Sequence, residues 1–293
     1  MTEVPAEPSR LPAVALPALF VVLWSTGYIF SRLGLPYADP FTFLAVRLAI
    51  AASLLLAFAL LTGAPWPASG REGGHIVAAG LLIHGGYLVG VFEAIRFGVP
   101  TGIVALIAAL QPILTGAAAG PLLGERVSVR QWAGLALGFA GVVLVVWERL
   151  GAGAERPVGY AFAVLCLASI TAGTLYQKRF CQDLDLRSGT ALQFAATAVA
   201  LAVGAMLFET REIVWTVDFA VALAWLVLVL SLGSISVLFV LIRRGAATRV
   251  TSLFYLVPPM TAVLGFAAFG ETLSALALAG MGVAVAGVAL VNR

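Results

Sequence analysis

The stretch PILTGAAAGPLLGE, residues 112–125, returns in altered form as PPMTAVLGFAAFGE at residues 258–271. A proline, a threonine and a Gly-Glu pair keep their places, 146 positions apart. Between residues 112–144 and 258–290, 11 of 33 positions are identical, whereas chance in so apolar a sequence gives roughly one in ten. The same shift aligns Gly27 with Gly173 and Arg32 with Lys178 without a gap. The repeat unit is therefore half of the chain.

The composition indicates that lipid surrounds this protein. Of its 293 residues, 61% are hydrophobic and 11% are charged, against about 25% charged residues in a soluble domain. The apolar residues form blocks of about 20, the length that crosses a hydrocarbon core about 30 Å thick. The first block follows a proline-rich, partly acidic start without a cleavage site, so we expect it to remain as a membrane helix.

Apolar blocks separated by charge, proline or glycine predict ten spans. We expect them near residues 11–33, 41–62, 74–97, 101–123, 130–147, 157–178, 188–208, 219–242, 248–269 and 274–291. Because each half has an odd number of spans, the second half enters the membrane from the opposite side. The predicted fold is an all-α integral membrane protein of ten transmembrane helices. Two inverted five-helix repeats, residues 1–147 and 157–293, surround a central cavity and are joined by a connecting loop, residues 148–156.

The distribution of cations predicts the orientation. Loops on the side of both termini carry eleven Lys and Arg residues, and the opposite side carries five. The excess lies in the cytoplasm under the positive-inside rule, so we expect both termini in the cytoplasm and the protein in a bacterial inner membrane. The basic pI is thus a signal of topology, and no basic cluster supports a nucleic-acid partner.

The two long repeats resemble a known family. The segments ALIAALQPILTGAAAGPLLGERVSVRQWAGLALGFAGVVLV and TRVTSLFYLVPPMTAVLGFAAFGETLSALALAGMGVAVAGVALV both resemble the EamA repeat of the drug/metabolite transporter superfamily. The carrying features are the proline, the Gly-Glu that follows it and a small-residue helix ending in Ala-Gly-Val. The resemblance implies a ten-helix exporter of metabolites with cytoplasmic termini. Its nearest group is the amino-acid exporters, including those for aromatic amino acids. Family members often carry Trp-Gly and then Asn in the first helix, and this chain departs from that with Trp24-Ser25-Thr26-Gly27.

Two prolines are candidate bends in a pair of gate helices. Pro112 and Pro258 lie about eleven residues into their spans, where each removes a backbone hydrogen bond and bends its helix. We expect the bends to line the cavity, with a static packing bend as the alternative. Glu125 and Glu271 follow Gly helix stops, and we interpret both as caps of the next helix, with ion coupling as the alternative.

Polar and aromatic side chains within the spans are the candidate binding residues, because burying polar groups in lipid is costly. His84 and Tyr87 share a helix face, and a packing role for His84 stays open. Aromatic rings bracket apolar ligands or recognise an ammonium group, and ordinary packing is the alternative for each ring. The candidate cavity residues are Trp24, Tyr28, His84, Tyr87, Gln111, Tyr176, Gln193, Phe239 and Tyr255. Arg47 lies inside a span, where we expect a structural ion pair.

Three classes of function compete, namely a secondary transporter, a passive channel or facilitator, and a membrane-embedded enzyme. A secondary transporter that exports small metabolites, amino acids first, fits the inverted repeat best. The alternatives are a passive facilitator or channel, and an exporter of drugs, nucleosides or other metabolites. A membrane enzyme is disfavoured because the sequence has no HExxH, GxSxG or paired intramembrane carboxylates. We expect no cofactor and no metal site. Proton coupling stays open, with His84 as its candidate carrier.

Overall fold

The computed structural model of the protein describes residues 11–99, 101–147, 157–269 and 274–292. These residues form ten helices, α1 to α10. Their bounds are α1 Leu11–Gly34, α2 Pro40–Leu61, α3 Gly70–Arg96, α4 Thr101–Ala108 continued by Gln111–Leu123, α5 Val129–Val146, α6 Pro157–Phe180, α7 Leu186–Phe208, α8 Val217–Arg244, α9 Ala247–Ser252 continued by Leu253–Leu256 and Val257–Phe269, and α10 Ala275–Asn292.

The helices confirm the predicted all-α membrane fold. Eight segments of the described chain are long and apolar enough to cross a membrane, and α5 is a shorter apolar helix. Large apolar side chains cover the outside of the bundle, for example Val199 at 66% and Phe208 at 72% exposure, as lipid contact requires. An antiparallel bridge between Ala38 and Ile213 is the sole β pairing within the described ranges. The predicted connecting loop, residues 148–156, lies outside the described residues.

Local sequence explains where several helices begin and end. Ser69 caps α3 by accepting a hydrogen bond from the Glu72 amide at 3.2 Å. Ser128 and Gln131 form a reciprocal capping box that starts α5. Gly124 ends α4 in the left-handed conformation, with φ of 71°, which glycine adopts without a steric penalty.

Helix geometry changes at equivalent places in the two halves. A π-helical turn spans Leu81–Gly86 in α3, and another spans Leu226–Ser234 in α8. In α4 the helix is interrupted just before Gln111 and Pro112, and in α9 a 3₁₀ turn precedes Val257. Proline removes a backbone donor, and π turns occur mostly as local bulges, frequently at functional sites. The irregular turns therefore lie at corresponding positions in α3 and α8 and in α4 and α9.

Helix packing follows an approximate two-fold symmetry. Helix α3 packs on α6 and α1 packs on α8, while α4 packs on α6 and α1 on α9. If the two halves are exchanged, the contact of α3 with α6 becomes the contact of α8 with α1, and the contact of α4 with α6 becomes the contact of α9 with α1. Helices α2 and α7 pack on each other, as do α5 and α10, and these two pairs map onto themselves. This pattern is the one expected of an inverted repeat with its axis in the membrane plane.

Helices α5 and α10 approach most closely along a seam of glycines. A Cβ atom added at Gly141 would lie 2.7 Å from the carbonyl oxygen of Gly280, and the reverse substitution gives the same distance. Gly134 and Gly287 face each other in the same way. Backbones pack this closely only where side chains are absent, as in small-residue membrane interfaces.

The seam predicts a difference between two glycines on α10. We expect Gly280→Ala to destabilise the fold by about 2 kcal/mol, because backbone atoms must move to admit the methyl group. At Gly282 an added Cβ meets nothing within 4 Å, so Gly282→Ala is expected to be neutral or slightly stabilising. Thermal unfolding of both purified variants in detergent measures the effect. Equal midpoints would contradict the assignment of the seam.

Candidate substrate cavity

A central cavity of about 50 Å³ lies between the two halves in the middle of the bundle. Helices α1, α2 and α3 line it from the first half, and α7 and α8 line it from the second. Sites for small molecules usually measure about 300–1,000 Å³, and one water occupies about 30 Å³ of liquid. The space is therefore smaller than a typical small-molecule site, and a substrate would need the helices around it to separate.

One wall of the central cavity is aromatic. The rings of Trp24 and Tyr87 lie with centroids 6.0 Å apart, and both line the cavity together with Tyr28. Behind Trp24, Phe20 and Phe254 each pack with ring centroids 5.2 Å from the indole. The Tyr87 hydroxyl interacts with the hydroxyl of Tyr28 and with the indole of Trp24. These contacts fix the rings in one arrangement from three directions.

His84 lies within the π-helical turn of α3 and lines the same cavity. Its Nε2 atom is 3.4 Å from Oε1 of Gln193, and Gln193 in turn donates a hydrogen bond of 2.8 Å to Gln177. The imidazole packs edge-on against Phe194, with centroids 4.6 Å apart. The centroid of the Phe239 ring is 6.1 Å from that of the same imidazole, but Phe239 does not line the cavity. Bonds from α7 and rings from α7 and α8 thus orient a polar group of α3.

Arg47 is a functional candidate that the sequence did not assign. It is 4% exposed and lines the central cavity. Its Nε donates a hydrogen bond of 3.1 Å to the hydroxyl of Ser231, in the π turn of α8. The predicted ion pair is wrong for the described residues, none of which offers Arg47 a carboxylate within 4.0 Å. No local sequence pattern indicates the contact between Arg47 and Ser231, because the two residues come from different halves of the chain.

The two polar contacts to the π turns are related by the repeat. Positions 47 and 193 are 146 residues apart, so Arg47 of α2 corresponds to Gln193 of α7. Arg47 binds the π turn of α8, and Gln193 binds the π turn of α3. Each half thus holds the irregular turn of the other half from an equivalent position, and the central cavity lies where these contacts meet.

A second, smaller cavity of about 10 Å³ adjoins the same tyrosines. Tyr28 and Tyr87 line both cavities, and Gln111 and Pro258 line the smaller one. Gln111 donates a hydrogen bond of 3.2 Å to Thr174 on α6. Tyr28 and Tyr87 therefore lie between the main cavity and the smaller one.

Some predicted site residues lie away from both cavities. The Tyr176 hydroxyl is 2.7 Å from Nδ1 of His75, near the end of α6. The buried Tyr255 ring packs where Gly138 leaves space, and within the described chain its hydroxyl has no hydrogen-bond partner. Pro112 lies beside the break in α4, although its side chain lines neither cavity.

Ion pairs and caps link the halves at both ends of the bundle. On the side where α1 begins, the Glu125 carboxylate is 2.9 Å from Nζ of Lys178 and accepts a hydrogen bond of 3.0 Å from the Ala247 amide. Glu125 was expected to cap α5, but it caps α9 because Ser128 already satisfies α5. On the other side, Glu209 accepts hydrogen bonds from the Phe41 and Thr42 amides at the start of α2. Glu271 lies outside the described residues.

The cysteines have structural surroundings. Cys166 and Cys181 are both buried and free. Burial raises the pKa of the Cys181 thiol to about 11, so this thiol is protonated at neutral pH and a poor nucleophile or ligand. Within the described ranges, no three His, Cys, Asp or Glu side chains gather as a metal site.

Comparison with known protein families matches each half of the chain separately. A family described as the EamA-like transporter family matches residues 11–147 and again residues 157–293. The uncharacterized transporter YvbV of Bacillus subtilis is 30% identical over 94% of this chain and 90% of its own length. The uncharacterized inner membrane transporter YedA of Escherichia coli is 29% identical over 95% of this chain and 89% of its own.

Two further similarities concern a named activity and a fold. A probable amino-acid metabolite efflux pump of Salmonella typhimurium is 24% identical over 93% of this chain and 92% of its own length. A solved crystal structure superposes with a TM-score of 0.77 at 24% identity, covering 97% of this chain and 98% of the other. That structure supports the ten-helix fold alone.

Proposed function

This chain belongs to the EamA-like transporter family, with one copy of the family unit in each half, and we propose that it exports small metabolites by alternating access. Amino acids are the first substrate class to test, because relatives in Salmonella typhimurium and Escherichia coli are named probable amino-acid metabolite efflux pumps. The two matched units, residues 11–147 and 157–293, are the proposed repeats, and the segment 148–156 is the proposed connection between them.

The observation that carries this proposal is the central cavity between the two halves. It lies where the equivalent positions 47 and 193 contact the π turns of α8 and α3. Inverted repeats commonly place a substrate near mid-membrane and move one part of the protein against the other. The cross-half contacts of Glu125 and Glu209 at opposite ends are suited to closing one side at a time.

The side chains around the cavity suit a small molecule with polar and apolar parts. The aromatic wall of Trp24, Tyr28 and Tyr87 offers apolar surface and faces that attract an ammonium group. His84 supplies a hydrogen-bonding group in the same lining, and Gln193, which lines neither cavity, orients it. A proton-coupled cycle would use His84 as its carrier. These side chains are the proposed binding residues, and Pro112 and Pro258 are the proposed bends of the gate helices.

The proposed orientation places both termini in the cytoplasm, as the excess of positive charge on the terminal side favours. A reporter protein that works only in the cytoplasm is expected to be active when it is fused after Arg293. A reporter that works only in the periplasm is expected to be silent at the same site. Fusions after residue 211, in the segment between α7 and α8, serve as the matched control and should give the reverse result. A periplasmic signal from the C-terminal fusion would contradict the orientation.

Counterflow tests the proposed activity. Purified protein is reconstituted in liposomes loaded with one unlabelled amino acid, and uptake of the same labelled amino acid is followed from outside. Saturable uptake that accelerates with internal substrate is expected of a carrier. A passive channel would give flux that neither saturates nor responds to internal substrate. If no amino acid moves through folded protein, nucleosides, sugars and cationic drugs become the next candidates.

A further inference from the structure

Arg47 is a buried cation with an incomplete set of partners. It is 4% exposed, and its Nε donates to the Ser231 hydroxyl at 3.1 Å. Within the described chain, neither Nη atom of Arg47 has a hydrogen bond and no carboxylate lies within salt-bridge distance. A guanidinium stays charged in proteins and offers five N–H donors, so most of its binding capacity faces the central cavity.

Among the residues that the structure describes, none supplies a negative charge to Arg47. The ionisable groups that interact electrostatically with Arg47 are the Tyr87 hydroxyl and the His84 imidazole, and neither is an anion at neutral pH. Glu93 is also buried, but it pairs with Arg96 at 3.4 Å, towards the end of α3. The carboxylates of Glu125 and Glu209 are engaged at the two ends of the bundle.

An unpaired cation inside a membrane protein is costly and is typically a functional group facing a cavity. Two Nη atoms in a fixed plane match the two oxygens of a carboxylate, which they bind through paired hydrogen bonds. We propose that Arg47 binds the carboxylate of the transported molecule. The substrate is then a carboxylic acid, and purely cationic molecules are excluded.

The rest of the cavity defines the other end of this substrate. Ser231 on α8 binds the guanidinium through Nε, which leaves both Nη groups without a partner among the described residues. The rings of Trp24 and Tyr87 then face the remainder of the molecule. This inference rests on the proposed transport function, because it assigns the substrate class of the same cavity.

A matched series of ligands tests the proposal on the unaltered protein. The probes are L-phenylalanine, L-phenylalaninamide, phenethylamine and 3-phenylpropionate, with equivalent sets built on leucine and on threonine. Ligand binding to the folded state raises the unfolding midpoint, which is measured in detergent at 10 mM ligand. Acids are expected to raise the midpoint, and the amide and the amine are expected to have at least tenfold weaker apparent affinity. If amides or amines bind as well as acids, or if no acid binds, the proposal is wrong.

Variants then assign the effect to one side chain. Arg47→Gln is expected to weaken binding of the acids about tenfold and to leave the amides unchanged. Arg47→Lys keeps the charge but not the paired donors, and should fall between the two. Arg71→Gln is the matched control, since Arg71 is exposed on the first turn of α3. Acid binding that survives unchanged in a folded Arg47→Gln protein would overturn the proposal, and the ligand series decides the matter if that variant does not fold.

The outcomes separate this proposal from that of amino-acid export. Binding of 3-phenylpropionate without binding of any amino acid would support the role of Arg47 and contradict the amino-acid class. Saturable counterflow of an amino acid would support transport. If the amide of that amino acid inhibits the counterflow as strongly as the amino acid itself does, the role of Arg47 is contradicted.

Discussion

Ser31→Phe is expected to lower the rate of counterflow by up to about 150-fold while the protein stays folded. Ser31 is 6% exposed and lines the central cavity from α1. The substitution puts a benzyl group in a cavity of only about 50 Å³, so the added ring would occupy space that the substrate needs. Overfilling a packed site costs about 1–3 kcal/mol, and each 1.36 kcal/mol in a barrier changes a rate tenfold.

The matched control is the same substitution at Ser53 on α2. Ser53 is exposed on the outside of the bundle and donates a hydrogen bond only to the Ala49 carbonyl, at 2.9 Å. Ser53→Phe should therefore keep the rate of the unaltered protein. Both variants are compared at equal reconstitution after checking the unfolding midpoint. Normal counterflow through folded Ser31→Phe protein would mean that the substrate passes elsewhere.

His84→Ala is expected to reduce counterflow about 30-fold. The substitution removes the partner of Gln193 and the ring that packs on Phe194 at 4.6 Å. An unsatisfied buried amide costs about 1–3 kcal/mol, and a loss near 2 kcal/mol corresponds to about 30-fold in an equilibrium or a rate. The side chain also faces the cavity, so its loss changes the surface that meets the substrate.

The chain has one other histidine, which provides the control. His75 lies at the beginning of α3, bonded to Tyr176 and stacked on Phe180 with centroids 4.7 Å apart. His75→Ala should therefore keep transport within about twofold, even where it lowers stability, because both contacts lie far from the cavity. A greater loss of rate in His75→Ala than in His84→Ala would contradict the placement of the binding site.

Most of the fold was predictable from the sequence, because the bilayer imposes a length and a hydropathy on each helix. The duplication of Pro112 and Glu125 as Pro258 and Glu271 revealed the two repeats, and the resemblance to the EamA family is confirmed. Helix bounds shifted by a few residues. The π turns of α3 and α8 were not predicted, since apolar residues fit an α turn and a π turn equally well in sequence.

The site was less accessible to sequence reasoning. His84 and Tyr87, and Trp24 and Tyr28, were grouped because a spacing of three or four residues sets a shared helix face, and all four line the central cavity. No comparable spacing rule predicts which residues of different helices contact each other. Depth along the helix alone suggested Tyr176 and Tyr255, yet the rotation of α6 and α9 turns these side chains elsewhere. The same limit hid the contact between Arg47 and Ser231.

The correspondence of positions 47 and 193 has a consequence for how the cavity distinguishes the two ends of a molecule. A dimer of identical five-helix chains would present the same residue twice about its axis, and so only matched pairs of groups. In one fused chain each copy diverges separately. Position 47 has become arginine where 193 is glutamine, and position 84 is histidine where 230 is leucine. Arg47 therefore gives the cavity a positive charge that the equivalent position does not repeat, which lets the cavity hold an asymmetric molecule in a single direction.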